Sequence, residues 1–344
     1  MTELRVAPYD GPPAEWDAFV RRTDDWTPFQ LWGWRQVIER VHGHRCPYLA
    51  ARDEAGALVG VLPLVRVASL PFGRYFVSMP FVNYGGPLGS AEAVRALVSE
   101  ATAMAQRDRA KLLELRCRSP QPLELAVSHR KITVLLDVPS GGPGALFGTF
   151  PAKLRSQVRR PQKEGVTVRF GADQVEPFFS VFSRHMRDLG TPTQPRAFFE
   201  AIAREFGDAV WFACGWLGGH PIACGCGFRW GVEFEMTWAS ALAEHNRVSA
   251  NMGLYWAFME RAAAEDCSCF NFGRCTPGGS THRFKRQWGG RDTPLHWYEW
   301  TPNGAAAHTP SPDDGAYSWG PRLWRRLPVG IATALGPRIV RGIP

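Results

Sequence analysis

Several features that would indicate a membrane protein or a covalent hydrolase are missing from this sequence. Its longest uninterrupted apolar run, residues 58–65, contains a proline and falls far short of the ~20 residues that a membrane-spanning helix requires. The N-terminus, MTELRVAPYDG, mixes acidic and basic residues without an apolar core, which is unlike a secretory signal. No GxSxG motif marks a nucleophilic serine. We therefore expect a globular, cytoplasmic protein.

Cysteine-based metal or redox motifs are also missing. The eight cysteines include no CxxC, and the nine histidines show no ligand spacing near them. Two CxC pairs, Cys224/Cys226 and Cys267/Cys269, lie in apolar, strand-like surroundings, where alternation points both sulfurs to one face. We expect buried, reduced thiols and no metal site.

What the chain has in excess is positive charge. The net charge is +8, and 344 residues with 45% hydrophobic content suffice for two domains. Such a charge predicts an anionic partner: tRNA, a nucleotide-linked substrate or an acidic membrane face. Composition alone does not choose among the three.

An internal repeat organises the sequence. TPFQ at residues 27–30 and TPTQ at residues 191–194 each precede an aromatic helix, two hairpin-like strands, a third strand, a long amphipathic helix and a short buried strand. The pattern predicts two copies of a mixed α/β unit. We place the domains at residues 1–148 and 149–302, followed by a linker and basic tail at 303–344. A final strand is predicted at Leu295–Trp300, and it pairs either with the sheet of the second unit or with that of the first.

Two basic segments lie in the second copy. The helix predicted at Ala152–Arg160 places Arg155 and Arg159 on one face, and FGRCTPGGSTHRFKRQWG at residues 272–289 surrounds Lys285 with Gly-Gly and further cations. Glycines allow backbone N–H groups to approach an anion, and Phe284 and Trp288 should hold Lys285 by packing. A solvated basic loop is the competing interpretation.

Several segments of the sequence resemble those of a known family. KLRSQVRRPQKEGV (153–166), RDLGTP (187–192), NMGLYWAFMERA (251–262) and FNFGRCTPGGSTHRFKRQWG (270–289) are similar to the FemAB-related family of GNAT-fold transferases. The similarity is strongest to the branch associated with exosortase and PEP-CTERM exopolysaccharide systems. The resemblance extends over about residues 16–300 and includes FVNYGGPLG (81–89).

The resemblance implies two tandem GNAT-like (acyl-CoA N-acyltransferase) domains with a cleft between them, and transfer of an activated acyl or aminoacyl group to an amine. Fem-type enzymes take aminoacyl-tRNA as donor and a nucleotide-linked cell-wall precursor as acceptor. Their phosphate-binding lysine corresponds to Lys285, with Trp288 replacing a phenylalanine, and their helix arginine corresponds to Arg155 or Arg159.

The donor remains open. Residues 247–253, RVSANMG, lack glycines at the positions that the (Q/R)xxGx(G/A) loop of CoA-binding GNAT enzymes requires for the CoA pyrophosphate. The expected donor is therefore aminoacyl-tRNA or, through a nonstandard loop, acyl-CoA; no permanently bound cofactor is expected. A third alternative is a non-catalytic protein that binds anionic polysaccharide or lipid-linked sugar.

Further candidates follow from position. Glu235, on a predicted central strand, is the candidate base, since burial would raise its pKa; a structural ion pair is the alternative. Arg274 would assist in holding an anion. Trp238, Asn251 and Tyr255 would contact substrate; the alternative for Asn251 is that it caps its helix. Asn83 and Tyr84 would line the acceptor side.

The C-terminal tail, residues 321–344, alternates arginines with apolar residues. This pattern predicts contact with the anionic inner face of the membrane, where lipid-linked acceptors are found. A disordered tail is the alternative. The sequence leaves the acceptor's identity and the oligomeric state open.

Overall fold

The computed structural model describes residues 4–69, 73–304 and 319–343. The first part of the chain forms β1 (Arg5–Pro8), α1 (Pro13–Arg22), α2 (Gly33–His42), β2 (Leu49–Arg52), β3 (Leu58–Leu62), β4 (Val65–Ser69), β5 (Gly73–Ser78), β6 (Leu88–Gly89), α3 (Ala91–Arg107), β7 (Leu112–Cys117) and β8 (Ala126–Ser128).

The middle of the chain forms β9 (Ile132–Asp137), α4 (Gly142–Thr149), α5 (Ala152–Lys163), β10 (Thr167–Phe170), α6 (Val175–Leu189), α7 (Arg196–Phe206), β11 (Val210–Leu217), β12 (His220–Trp230), β13 (Glu233–Ala241), α8 (Ala250–Ala264), β14 (Cys269–Cys275), α9 (Ser280–Arg286) and β15 (Arg291–Pro294). The end forms β16 (His296–Trp300), α10 (Trp319–Trp324) and α11 (Val329–Val340).

Two compact units share these elements. Residues 1–131, 294–309 and 341–344 form the first, and residues 132–293 and 310–340 form the second. The units interleave along the chain, whereas the sequence-based division at 148 and 302 was linear. The strand left open by the sequence, β16, returns to the first unit, and β9 lies in the second. Part of the predicted linker, residues 305–318, falls outside the described residues.

The first unit contains two sheets, ordered β1-β2-β3-β6 and β4-β5-β7-β16-β8. The sequence predicted one strand over residues 58–67, but the structure has β3 and β4, which belong to different sheets. Pro63, between them, lacks the N–H needed for a continuous ladder. The parallel pair β5 and β7, joined by α3, follows the predicted repeat.

The second unit is built on one seven-stranded sheet, ordered β10-β11-β12-β13-β14-β9-β15. Strands β11, β12 and β13 are antiparallel, and β13 pairs in parallel with β14 after the α8 crossover. The apolar helix α8 packs its Phe258 against Phe170 and Phe234, with ring centroids 4.9 and 5.4 Å apart. These contacts fill one face of the sheet and fix the position of β13, which carries candidate site residues.

The cysteines lie in the interior, as the sequence predicts. All eight cysteines are free thiols, seven of them buried, and Cys269 is half-buried. Burial raises the pKa of the Cys214 thiol to about 12, so this sulfur stays protonated near neutral pH. Within the described residues, no group of three or more His, Cys, Asp or Glu side chains is placed to hold a metal ion.

Candidate active site

The candidate site lies in the second unit, where β13 and β14 separate. Their parallel pairing covers three residue pairs and ends at Glu235 and Asn271, although both strands continue beyond this point. The pairing of β14 with β9 shifts register between Asn271 and Arg274, and Gly273 has a φ of +71°. This left-handed conformation favours glycine. A gap between two central strands, lined by polar residues, is therefore built into the sheet.

Glu235 is held at this gap by the buried amide of Asn271. The Nδ2 group of Asn271 donates to Glu235 Oε2 at 3.1 Å and to Glu233 Oε1 at 2.9 Å. Its Oδ1 accepts hydrogen bonds from Thr133 Oγ1 and from the backbone N–H of Gly273. These contacts fix the orientation of the amide, so its N–H groups face the two carboxylates.

Asn271 was not among the sequence-predicted site residues. The available signal was a polar residue between Phe270 and Phe272 in a predicted buried strand. Both Asn271 and Glu235 are fully buried, and a buried polar group costs free energy unless it is hydrogen-bonded. The network satisfies that requirement and keeps a carboxylate inside the sheet.

Lys285 lies on α9 and is 4% exposed. Its Nζ donates to the carbonyl of Gly273 at 2.7 Å and to that of Arg274 at 3.0 Å. Burial lowers the pKa of Lys285 to about 8, while Cys275 and Glu235 act in the opposite direction. Trp288 is buried and Phe284 half-buried, and their rings pack around Tyr255. Lys285 thus stabilises Gly273 and Arg274, the part of β14 that no longer pairs with β13.

Tyr255 lies in the same core. Its ring centroid is 4.9 Å from that of Phe284 and 5.9 Å from that of Phe272. Burial raises the pKa of its hydroxyl, so Tyr255 remains neutral. The structure therefore places Tyr255 in the packing around α9.

The other candidates on these elements are partly exposed. Trp238 packs edge-on against Phe198 and Phe199 of α7, and Arg274 is half-buried on β14. Asn251 is the second residue of α8, whose N-cap is Ser249 with a φ of +54°. The capping alternative for Asn251 is therefore not what the structure shows.

The basic helix α5 forms a second cationic feature of this unit. It is longer than predicted, because it continues through Pro161 to Lys163. A depression of about 190 Å³ is lined by Ala152, Arg155, Ser156, Arg159 and Lys163. Arg155 Nη1 donates to the carbonyl of Phe150, and the Arg159 guanidinium lies 4.9 Å from the Phe147 ring centroid. Both arginines are thus held beside the depression.

Asn83 and Tyr84 belong to the first unit. Both are buried, and the Tyr84 ring packs against Phe29 with a centroid separation of 5.4 Å. Shortly before them, Met79 and Phe81 have φ values of +60° and +73°. Non-glycine residues in this conformation carry backbone strain, which is common at functional sites. The strained backbone marks this segment as a candidate functional segment. That Asn83 and Tyr84 line the acceptor side stays a prediction.

Comparison with known proteins identifies one domain of the chain and its overall fold. Residues 150–286 match the model of the acetyltransferase (GNAT) domain. Residues 150–286 therefore carry a GNAT domain. The chain is an acyltransferase by class. No curated protein sequence matches it significantly.

Three solved structures share the fold of most of this chain. FemX is 14% identical, with a TM-score of 0.63 over 88% of this chain and 98% of FemX. L-PGS from Bacillus licheniformis is 11% identical, with a TM-score of 0.57 over 98% of each chain. A tandem GNAT protein from the clavulanic acid biosynthesis pathway is 13% identical, with a TM-score of 0.54 over 89% of this chain and 100% of that one. At these identities the similarity establishes the fold.

The predicted α/β fold with two GNAT-like units is confirmed. In the described ranges 4–69, 73–304 and 319–343, no helix is long and apolar enough to cross a membrane. The roles of the candidate residues remain predictions.

Proposed function

We propose that this FemAB-related protein transfers an aminoacyl or acyl group from an activated donor to the amine of an anionic envelope or exopolysaccharide precursor. The observation that carries the proposal is the buried Glu235–Asn271 pair at the gap between β13 and β14, beside Lys285. A carboxylate and a cation at one gap provide the base and the positive charge that amide formation needs. The proposed setting is the cytoplasmic face of the cell envelope.

In the proposed reaction, the acceptor amine attacks the donor carbonyl carbon, and a C–N bond forms. Glu235 accepts the proton of the amine, while Lys285 and Arg274 supply positive charge for the oxyanion or for phosphate. The C–O or C–S bond to the donor then breaks, and its leaving oxygen or sulfur takes up a proton. No covalent enzyme intermediate is required.

Aminoacyl-tRNA is the donor we favour. The basic depression on α5 supplies several cations for phosphates, and the similarity of the whole fold to FemX and to L-PGS agrees with this choice. Arg155 and Arg159 are the proposed phosphate contacts.

Acyl-CoA is the second candidate donor. The matching domain model is that of an acetyltransferase, and one of the similar structures is described as lacking AcCoA. The segment before α8 is a 3₁₀ helix over residues 243–248, and Ser249 follows it in the left-handed conformation. An acyl-CoA donor would therefore have to bind beside a nonstandard turn at the start of α8.

The deciding experiment measures binding of charged tRNA, acetyl-CoA and a longer acyl-CoA to the purified chain, by filter retention and calorimetry. We expect charged tRNA to bind, and Arg159→Ala to weaken this binding. Arg160→Ala is the matched control, because Arg160 lies on the same helix outside the depression. Acyl-CoA binding without tRNA binding would reverse the choice of donor.

Turnover separates an enzyme from a binding protein. Incubation with radiolabelled aminoacyl-tRNA and an envelope-precursor extract should label the acceptor fraction, and Lys285→Ala should abolish the labelling while the protein stays folded. Unchanged labelling by folded Lys285→Ala removes that residue from the mechanism. Retention of anionic polysaccharide without transfer from any donor would establish the non-catalytic alternative.

A further inference from the structure

The C-terminal helices carry charge of one sign. Residues 319–343 contain five arginines and no acidic residue: Arg322, Arg325, Arg326, Arg338 and Arg341. All five side chains are exposed. Residues 319–343 form the basic tail of the described structure.

The basic tail is held against the second unit through α6. Arg187 Nη1 donates to the carbonyl of Leu327 at 3.1 Å, and Arg325 Nη2 donates to that of Leu189 at 3.2 Å. On α11, Ala332 and Gly336 are buried, and a Cβ added to Gly336 would lie 2.9 Å from the backbone N of Thr193. The small residues therefore form the inner face of α11, and the competing disordered tail is not what the structure shows.

The outer face of α11 is apolar. Ile331 and Leu335, four residues apart, are 48% and 41% exposed, and Arg338 follows on the same face. Leu323 on α10 is 56% exposed, and Leu189, whose carbonyl binds Arg325, is 49% exposed. Four of the six large hydrophobic side chains that are exposed in the described residues thus lie on or beside this one segment.

We propose that this face is a docking surface for an anionic lipid bilayer. Exposed aliphatic side chains beside arginines suit the boundary between headgroups and acyl chains, where the apolar groups leave water and the guanidinium groups contact lipid phosphates. The protein then binds the membrane through a folded surface on the second unit, without a spanning helix.

Two other occupants fit the surface less well. A second copy of the chain would bring five arginines against five more, and like charges across an interface oppose association. An RNA would satisfy the arginines but would leave Ile331, Leu335 and Leu323 in water. An anionic bilayer is the partner that matches both the charge and the apolar groups.

Flotation of the full-length chain with vesicles tests the proposal. We expect recovery with phosphatidylglycerol/phosphatidylcholine vesicles and little with pure phosphatidylcholine. The double variant Ile331→Ser/Leu335→Ser should reduce the partition constant at least about tenfold, because two aliphatic groups no longer leave water on binding. Val127→Ser/Val232→Ser is the matched control, since these valines are equally exposed elsewhere, and it should float like the parent.

Circular dichroism and thermal unfolding establish that the variants are folded. Equal recovery of the Ile331/Leu335 variant and the parent overturns the proposal, as does equal binding to neutral vesicles. Sedimentation velocity addresses self-association: a dimer of the parent that the same double variant abolishes, with no vesicle binding, assigns the surface to a second copy. Retention of tRNA that depends on the tail arginines, again without vesicle binding, assigns it to RNA.

Discussion

Lys285 is a buried cation whose environment penalises its charge. Its Nζ is enclosed by the backbone of β14, and burial lowers its pKa from 10.5 to about 8. Between these two pH values the unfolded chain binds more protons than the folded chain at this residue. The folded state should therefore gain stability as the pH rises from about 8 towards 10.5, and the full penalty is present below about 8.

The first prediction concerns the pH dependence of stability at Lys285. The difference in free energy of unfolding between the parent and Lys285→Met should change by a few kcal/mol across this pH range, at no more than about 1.4 kcal/mol per pH unit. Denaturant titrations at several pH values measure it. Lys163→Met, at an exposed lysine of α5, is the control and should differ from the parent by a nearly constant amount. A flat difference for Lys285→Met would contradict the lowered pKa.

The second prediction concerns Glu235. If this carboxylate accepts the amine proton, Glu235→Gln should lower kcat about a hundredfold or more. The amide keeps the shape of the side chain, so donor binding should be unchanged. Asn271→Ala should also lower kcat, since the amide that positions the carboxylate is lost, while Glu244→Gln at an exposed ion pair serves as control. Single-turnover kinetics measure the effect, and full activity of Glu235→Gln would exclude a general base at this position.

At the scale of elements, α5 and α8 pack closely at one point. A Cβ on Gly253 would lie 2.9 Å from Cβ of Pro161. Gly253 therefore has a packing role, because it lets the basic helix α5 approach α8. This contact fixes the helix on which Arg155 and Arg159 are placed.

The third prediction is that Gly253→Ala destabilises the protein. Alanine favours a helix by about 1 kcal/mol over glycine, but overpacking here should cost about 1–3 kcal/mol. We expect a net loss in the free energy of unfolding, measured by denaturant titration. Gly148→Ala on α4, where an added Cβ meets nothing within 4 Å, should instead be neutral or stabilising. Equal effects of the two alanines would show that backbone propensity alone decides.

Much of the element order was predictable because it depends on local patterns. Alternation and helical periodicity located α7 at its observed limits and β11, β12, β13, α8 and β14 within a few residues. Helix α6 lies outside the predicted repeat, although Glu176 in its first turn and Gly190 after its end are helix signals that were available. The position of Asn271 between two carboxylates required knowledge of which strands pair, and sequence alone does not supply that. Lys285, in contrast, was predictable because its aromatic neighbours are local.

At the scale of the whole molecule, two strands are exchanged between the units. Strand β9 lies between β14 and β15 in the second sheet, although it precedes the predicted boundary at 148. Strand β16 lies between β7 and β8 in the five-stranded sheet of the first unit. Such pairings join residues more than a hundred positions apart, so local sequence patterns do not reveal them.

The fourth prediction concerns fragments. A fragment of residues 132–343 retains the whole seven-stranded sheet and should be soluble, with cooperative thermal unfolding. A fragment of residues 149–343 lacks β9, which leaves β14 and β15 without their shared neighbour, and it should be insoluble or lack a cooperative transition. Circular dichroism and light scattering compare them. Equal folding of both fragments would show that β9 is dispensable for the second sheet.

The same exchange sets an order in time when a ribosome makes the chain. The seven-stranded sheet has all its strands once residue 294 has emerged. The first unit is synthesised earlier, but its five-stranded sheet lacks β16 until residues 296–300 have emerged. Until then β7 and β8 lack the strand that joins them, and unpaired strand edges invite aggregation. The first unit is thus the first to be translated, yet one of its sheets stays incomplete until residue 300 has emerged, and it is the part for which a nascent-chain chaperone has the most to protect.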